Sequence, residues 1–215
     1  MTLSVYLYVP NLIGYTRVAL GLYAFAHAFS DWQRCLFAYA LSQLLDAADG
    51  YAARALKQSS QFGAVLDMVT DRVSSNILIM ILGVLYGREY FMGFAILAML
   101  DYASHWFSMY ASVYTGSGSH KTMNETRPWL LRIYYRSKVV LFMLCLAQEA
   151  SLMALYVLKA GSSGSGLGGL LYSLAWNVFV VSAPFSLLKQ IINVVQLIDA
   201  SNQIIDKEAS KPKRK

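Results

Sequence analysis

LLDAADGYAARALKQSSQFGAVLDMVTDR, residues 44–72, is the stretch that decides how this chain folds. It contains four carboxylates in sequence otherwise rich in Leu, Ala, Val and Met: Asp46, Asp49, Asp67 and Asp71. Ionisable groups at membrane depth are energetically expensive, so an intramembrane carboxylate indicates a functional site. Two such residues on each of two adjacent apolar segments predict a site built between two membrane helices.

The spacing of the four aspartates follows the period of an α-helix. Asp46 and Asp49 are three residues apart, and Asp67 and Asp71 are four apart, so each pair shares one helix face. Two facing helices would bring all four into one small volume, where four like charges do not all stay ionised without a cation. Carboxylate oxygens suit hard divalent cations, so we expect Mg²⁺ or Mn²⁺. The alternative, acids in a surface loop or at helix caps, fits poorly with apolar sequence on both flanks.

The composition of the whole chain is typical of a polytopic membrane protein. Of its 215 residues, 57% are hydrophobic and 14% are charged, whereas soluble domains have about 25% charged residues. The 15 Tyr and 4 Trp fit aromatic belts at the membrane interfaces. The net charge of +6 comes without aromatic–basic arrays or zinc-type Cys/His clusters, so we expect no nucleic-acid partner. The two cysteines predict no disulfide framework, and we expect no cleavable signal peptide.

Six apolar segments, each near the ~20 residues that cross a bilayer, predict one all-α integral membrane domain covering residues 1–215. They are residues 13–29, 35–53, 62–86, 90–114, 139–158 and 170–198. Pro10-Asn11 predicts the start of the first helix, and Pro184 is expected to interrupt the sixth. A polar loop is expected at 115–138, a flexible Gly/Ser run at 161–169 and a basic tail at 199–215.

The distribution of Lys and Arg sets the predicted orientation. With six spans, twelve basic residues fall on the side that holds both termini and three fall on the other side. The positive-inside rule therefore puts both termini and the aspartates on the cytosolic face. The ending KPKRK, residues 211–215, is either a dilysine-type retrieval signal of the endoplasmic reticulum or a plain basic tail.

Residues suited to phosphate surround the aspartates. Gly50 and Gly63 allow close approach to the backbone, and Arg54, one turn after Gly50, suits a phosphate oxygen. Ser60 adds a hydroxyl at the rim. Together with divalent metals beside a membrane surface, these residues indicate a diphosphate whose other end is lipid, cleaved by in-line displacement. Asp71, the deepest acid, is the best candidate for the base that deprotonates the nucleophile.

Other polar positions leave alternatives open. Arg17, inside the first span, either faces phosphate or extends its guanidinium to the lipid headgroups. Asp101 and His105, four residues apart in the fourth span, either hydrogen-bond within the bundle, which we favour, or shape a substrate pocket.

The aspartates and their neighbours together resemble the signature of the CDP-alcohol phosphotransferases at every fixed position. The pattern runs Asp46-x-x-Asp49-Gly50-x-x-Ala53-Arg54, eight residues, Gly63, three residues, Asp67, three residues and Asp71. The resemblance implies a six-helix membrane enzyme, often dimeric, that displaces CMP from a CDP-linked substrate with an alcohol. It implies metal on the four aspartates, the base at Asp71, and the CDP moiety near Gly50, Arg54, Ser60 and Gly63.

Outside this pattern, the chain is similar to the branch of the family that uses myo-inositol as the acceptor. The similar stretches are VPNLIGYTR (9–17), LDYASHW (100–106), SHK (119–121) and LRIYY (131–135). The similarity implies CDP-diacylglycerol and myo-inositol as substrates and a location in the endoplasmic reticulum. Arg132, Arg136 and Lys138 are candidates for the acceptor pocket, unless they serve only anionic lipid headgroups. At Lys138 the family tends to have arginine.

Two rival functions remain open on the sequence. The same aspartates serve family members with another acceptor, such as glycerol 3-phosphate or serine. Divalent-cation transporters also carry intramembrane carboxylates, but usually near the bilayer midplane on broken helices. Here the acids flank a short polar link together with an arginine, which favours a transferase. The family resemblance implies that this transferase works as a homodimer among membrane lipids.

Overall fold

A computed structural model describes residues 2–116, 127–161 and 166–210, which form eight α-helices. The six long helices are α2 (Val9–Ala26), α3 (Trp32–Ala55), α4 (Gln61–Tyr86), α5 (Arg88–Thr115), α7 (Lys138–Ala160) and α8 (Leu167–Ala209). Two short helices, α1 (Thr2–Tyr6) and α6 (Trp129–Arg136), complete the set. Each long helix contains most of one predicted apolar segment, so the all-α prediction is confirmed. The stretches SHK and KPKRK lie outside the described residues.

Polar caps and glycines set the ends of the long helices. The side chains of Asp31, Ser60 and Ser137 accept hydrogen bonds from backbone N–H groups in the first turns of α3, α4 and α7. Gly87, with φ of 82°, separates α4 from α5, and Gly116, with φ of 74°, ends α5. Few residues other than glycine adopt such angles. The links after α3 and α4 are therefore short, and α4 and α5 pack together as antiparallel neighbours.

The long helices pack into a bundle with most of its apolar core away from the aspartates. α2 packs on α3, α4 on α5, and α8 against both α5 and α7. Buried side chains from α2, α3, α4, α5 and α7 meet in this core, among them Ala24, Tyr39, Leu78, Leu82, Phe94 and Tyr156. The packed core fixes the angle at which α2, α3 and α4 meet at the site.

Among the described residues, three helices are long and apolar enough to cross a membrane: α4, α7 and α8. α2, α3 and α5 reach comparable lengths but are less apolar. Their buried residues include Asn11 and Arg17 on α2, Asp49 on α3 and Asp101 on α5. Several of the polar groups that lower the hydropathy of these helices are thus turned inward, and the chain is an integral membrane protein.

Two expectations for the C-terminal half were wrong. The expected polar loop contains α6, because Leu131 and Tyr134, three residues apart, bury one face of a helical turn. α8 runs through Pro184 and continues to Ala209, across much of the expected tail. A proline removes one backbone hydrogen bond, and neighbouring helices make that loss tolerable in membrane helices.

Candidate active site around a buried arginine

The four aspartates converge where the last turns of α3 meet the first turns of α4. One carboxylate oxygen from each of Asp46, Asp49 and Asp67 lies within 4.8 Å of the others. Asp71 joins the same group through a shared partner on α2, described below. Their side chains range from 9% exposed at Asp49 to 47% exposed at Asp67. The predicted convergence is confirmed, and the reading of these acids as loop residues or helix caps is wrong.

The guanidinium of Arg17 contacts all four carboxylates. Its Nη1 donates to Asp49 Oδ2 and Asp67 Oδ1, both at 2.9 Å. Its Nη2 lies 2.7 Å from Asp46 Oδ1 and also donates to Asp71 Oδ1. The Arg17 side chain is 1% exposed, so of the two alternatives left open for it, the one in which it reaches the lipid headgroups is wrong. The positive guanidinium of Arg17 therefore lies among the four carboxylates, where their mutual repulsion requires a cation.

Close packing of α2 against its neighbours puts Arg17 at this position. Ser42 Oγ on α3 donates to the carbonyl oxygen of Arg17 at 3.0 Å. A Cβ on Gly14 would lie 2.9 Å from Leu66 Cδ2 on α4, closer than side chains pack. The glycine therefore allows α2 and α4 to approach, one turn before Arg17.

A cavity of about 150 Å³ opens beside Asp49 and Asp67. Its walls come from the first turns of α2, the end of α3, the link to α4 and the start of α4. The lining residues are Pro10, Asn11, Gly14, Asp49, Gly50, Ala53, Gln58, Ser59, Ser60, Gly63, Ala64, Leu66 and Asp67. Predicted positions Gly50, Ser60 and Gly63 therefore share one cavity with two of the aspartates.

Gly63 is the glycine at which the expected close approach occurs. A Cβ there would lie 2.8 Å from Asn11 Oδ1 and 3.1 Å from Ser60 Oγ. Asn11 is 1% exposed, and its Nδ2 donates to the Val5 carbonyl oxygen at 2.6 Å. Ser60 Oγ accepts from the Gly63 N–H at 3.0 Å as the cap of α4. Asn11 was read from the sequence only as part of a helix start, and the structure makes it a wall of the cavity.

The remaining predicted residues lie outside the cavity. Arg54 is exposed, and its Nη1 lies 3.5 Å from where a Cβ on Gly50 would stand, so it flanks the cavity rim. Arg132, Arg136 and Lys138 are exposed on α6 and at the start of α7. None of these three is among the partners of the aspartates described above.

A buried polar network adjoins Asp71. Arg72 Nη1 donates to Asp101 Oδ1 at 2.8 Å, and Asn76 Nδ2 lies 3.1 Å from Asp101 Oδ2. His105 Nδ1 lies 2.8 Å from the carbonyl oxygen of Asp101. Hydrogen bonding of Asp101 and His105 within the bundle, the favoured interpretation, is confirmed. The network also reaches the site, because Arg72 Nη2 is 4.0 Å from Asp71 Oδ2.

Sequence reasoning missed two further ionisable residues beside this network. Glu149 on α7 accepts hydrogen bonds from Tyr39 Oη at 2.8 Å and from Ser75 Oγ at 2.5 Å. Lys189 on α8 is 1% exposed and donates to Asn193 Oδ1 at 2.5 Å. Both residues interrupt apolar runs, and the rule that singled out the aspartates would have found them.

The donor set at the aspartates fits a divalent metal ion. Three carboxylate oxygens lie close enough to share one ion, and oxygen donors are the ligands that Mg²⁺ and Mn²⁺ prefer. The buried guanidinium of Arg17 at the centre of the same oxygens shows that the arrangement takes up positive charge. A cluster that can hold a metal therefore borders a cavity with small and polar walls.

Comparison with known proteins identifies a family whose members resemble this chain. A model of the CDP-alcohol phosphatidyltransferase family matches residues 7–181. Proteins named CDP-diacylglycerol–inositol 3-phosphatidyltransferase are similar to the chain over most of its length. The one from Schizosaccharomyces pombe is 42% identical over 94% of this chain and 90% of its own. The human one is 41% identical over 96% of this chain and 95% of its own. No solved structure matches the chain.

Proposed function

This chain belongs to the CDP-alcohol phosphatidyltransferase family, and we propose that it transfers the phosphatidyl group of CDP-diacylglycerol to myo-inositol and releases CMP. The observation that carries the proposal is the similarity, over more than nine-tenths of the chain, to fungal and animal proteins named for that reaction. The geometry supports it, because a carboxylate cluster suited to metal stands beside a cavity at the end of the bundle.

The cavity suits the CDP moiety of the lipid substrate. We assign the diphosphate to its acidic end, at Asp49 and Asp67, and the nucleoside to the walls between the starts of α2 and α4. Gly50 and Gly63 leave space there, Ser60 offers a hydroxyl, and Arg54 supplies a cation at the rim. The diacylglycerol chains then extend from the bundle into the surrounding lipid.

Asp46, Asp49, Asp67 and Asp71 would hold the Mg²⁺ or Mn²⁺ that the family generally requires. When bound, the metal supplies positive charge that neutralises the diphosphate and stabilises the departing phosphate of CMP. The protein's part is to hold the four carboxylates at fixed positions on α3 and α4, both of which pack against α2. This keeps reorganisation small during the reaction.

Asp71 is the proposed general base. A hydroxyl of myo-inositol gives its proton to Asp71 Oδ2, and its oxygen forms a bond to the β-phosphorus of CDP-diacylglycerol as the bond to CMP breaks. Oδ2 suits this role because Oδ1 is the oxygen that accepts from Arg17. Arg72 Nη2 lies 4.0 Å from Oδ2 and places a positive charge beside it.

The acceptor would enter from the face that carries the polar link between α3 and α4. We propose six membrane spans, formed by α2, α3, α4, α5, α7 and α8, with both termini in the cytosol. Arg132, Arg136 and Lys138 are then on the cytosolic side as candidate acceptor contacts. We also propose that the protein is a homodimer in the endoplasmic reticulum. The family resemblance supports the homodimer and the location, and the distribution of basic residues supports the cytosolic termini.

A direct test offers the purified protein CDP-diacylglycerol, Mn²⁺ and one radiolabelled alcohol at a time. We expect phosphatidylinositol and an equal amount of CMP with myo-inositol, and no product with serine or glycerol 3-phosphate. Preferred incorporation of either other alcohol would reject myo-inositol as the acceptor. Mn²⁺ flux into sealed vesicles without any lipid product would instead favour a transporter.

A further inference from the structure

Arg17 competes for the same oxygens that the proposed metal needs. Its two terminal nitrogens engage one oxygen of each aspartate, at 2.7 Å to 2.9 Å for Asp46, Asp49 and Asp67. Asp49 Oδ2 and Asp67 Oδ1 share a single nitrogen. A guanidinium at the centre of the cluster leaves no room for an ion bound to the same oxygens.

One hydrogen-bond donor of Arg17 is unsatisfied. Its Nε is buried and has no hydrogen-bond partner among the described residues. A buried donor without an acceptor is energetically costly. In addition, one guanidinium balances only one of the four carboxylate charges. The contacts therefore hold the acids together without satisfying either the arginine or the charge of the cluster.

We propose that Arg17 is a stand-in cation that assembles the metal-free site and is displaced when divalent ions bind. This inference rests on the proposed function, since it assigns a role to Arg17 toward the metal. Ion binding replaces hydrogen bonds from Arg17 with bonds from the carboxylate oxygens to the ion, and the guanidinium stays protonated. Arg17 is a positioning residue: it keeps four mutually repelling acids in place until the metal arrives.

The face of α2 on which Arg17 lies gives the displaced side chain a destination. Arg17, Gly14 and Asn11 are spaced three residues apart, so they share this face, and the latter two line the cavity. Side chains in a helix lean toward its N-terminus, which is the direction of the cavity. The released guanidinium thus comes to lie beside the site assigned to the diphosphate, where it balances a negative charge.

Mn²⁺ binding without any lipid substrate tests the displacement. Free Mn²⁺ is measured by electron paramagnetic resonance in titrations of wild-type protein, Arg17→Met and the matched control Arg34→Met. Arg34 is 62% exposed and pairs only locally with Asp31, three residues away at the other end of α3. We expect Arg17→Met to bind Mn²⁺ at least about tenfold more tightly, the change that one lost bond to a charged group represents. Arg34→Met should bind as the wild type does.

A second measurement on the wild type covers the case that Arg17→Met does not fold, and it separates displacement from simple repulsion. The side-chain N–H resonances of ¹⁵N-labelled arginine are followed during titration with diamagnetic Mg²⁺, and Arg17 is assigned from its loss in Arg17→Lys. We expect the Arg17 resonance to shift and saturate together with Mg²⁺ binding.

Three outcomes would overturn the inference, and they separate it from the proposed function. An unchanged Arg17 resonance at saturating Mg²⁺, or Mn²⁺ binding by Arg17→Met no tighter than in the wild type, rejects displacement and leaves the metal site standing. Failure of the wild type to bind Mn²⁺ at all rejects both displacement and the metal-dependent mechanism.

Discussion

Substituting Gly63 by alanine should close the cavity beside the aspartates. The added Cβ would lie 2.8 Å from Asn11 Oδ1 and 3.1 Å from Ser60 Oγ. Ordinary contacts of this kind begin near 3.4 Å, so the neighbours must retreat by about 0.6 Å and 0.3 Å. Asn11 is buried and held by the Val5 carbonyl oxygen, so the strain falls on its hydrogen bond and on the cap of α4.

The size of the effect follows from these contacts. Loss of the buried Asn11 hydrogen bond costs about 1–3 kcal/mol, and a weakened cap adds about 0.5–2 kcal/mol. Alanine returns up to about 1 kcal/mol through its better helix propensity. We expect the free energy of unfolding to fall by about 0.5–5 kcal/mol. A shift of the cavity wall of even part of an ångström should lower kcat/KM for CDP-diacylglycerol by roughly 10–100-fold.

Gly93→Ala is the matched control, because a Cβ on this α5 glycine meets no atom within 4 Å. It carries the same gain in helix propensity without the clash, so it should keep full activity and wild-type stability or better. The assay combines thermal unfolding in detergent with initial rates at varied CDP-diacylglycerol. Equal activity and stability in the two variants would show that the approach of Asn11 to Gly63 has no part in substrate binding.

Two further substitutions test the site and its support. Asp71→Asn keeps the shape of the side chain but removes the proposed base, so turnover should fall by about 10²–10⁴-fold. The variant should stay folded and still bind CDP-diacylglycerol in an equilibrium titration. Near-normal turnover would show that Asp71 is not the base. Asp101→Asn leaves Arg72 buried without its carboxylate, so the free energy of unfolding should fall by about 3–5 kcal/mol. The double variant Arg72→Met/Asp101→Leu should recover most of that loss. A double variant no more stable than Asp101→Asn would contradict the pairing of Arg72 with Asp101.

The convergence of the four aspartates was predictable because it follows from helix geometry alone. Spacings of three and four residues fix the face of each helix, and the short link of residues 56–60 keeps the end of α3 close to the start of α4. The cavity was partly predictable for the same reason, since Gly50, Ser60 and Gly63 flank that link. These features depend on local sequence, which a single chain reveals.

The residues that sequence reasoning missed depend on contacts between distant segments. Arg17 was singled out from the sequence, but its partners were not, because it lies 54 residues before Asp71 and the spacing within α2 does not indicate what it contacts. Glu149 and Lys189 stand alone in apolar runs, so their partners became visible only when α3, α4, α7 and α8 were assembled. α6 was hidden because its charged residues suggested a loop, whereas Leu131 and Tyr134 bury one side of it.

The placement of the site within the first three long helices bears on how the protein is made. Arg17 on α2 precedes every acid that it contacts, and all of these groups lie before the end of α4. Chains emerge from the ribosome N-terminus first, so in the six-span arrangement that we propose the guanidinium reaches the bilayer before α3 and α4 bring in their carboxylates. An unpaired aspartate or arginine opposes insertion of a membrane helix by up to about 2.5–3.5 kcal/mol, the value for the helix centre. The guanidinium of Arg17 lowers this barrier because it pairs with the carboxylates as they arrive. The order of the helices along the chain thereby favours their insertion.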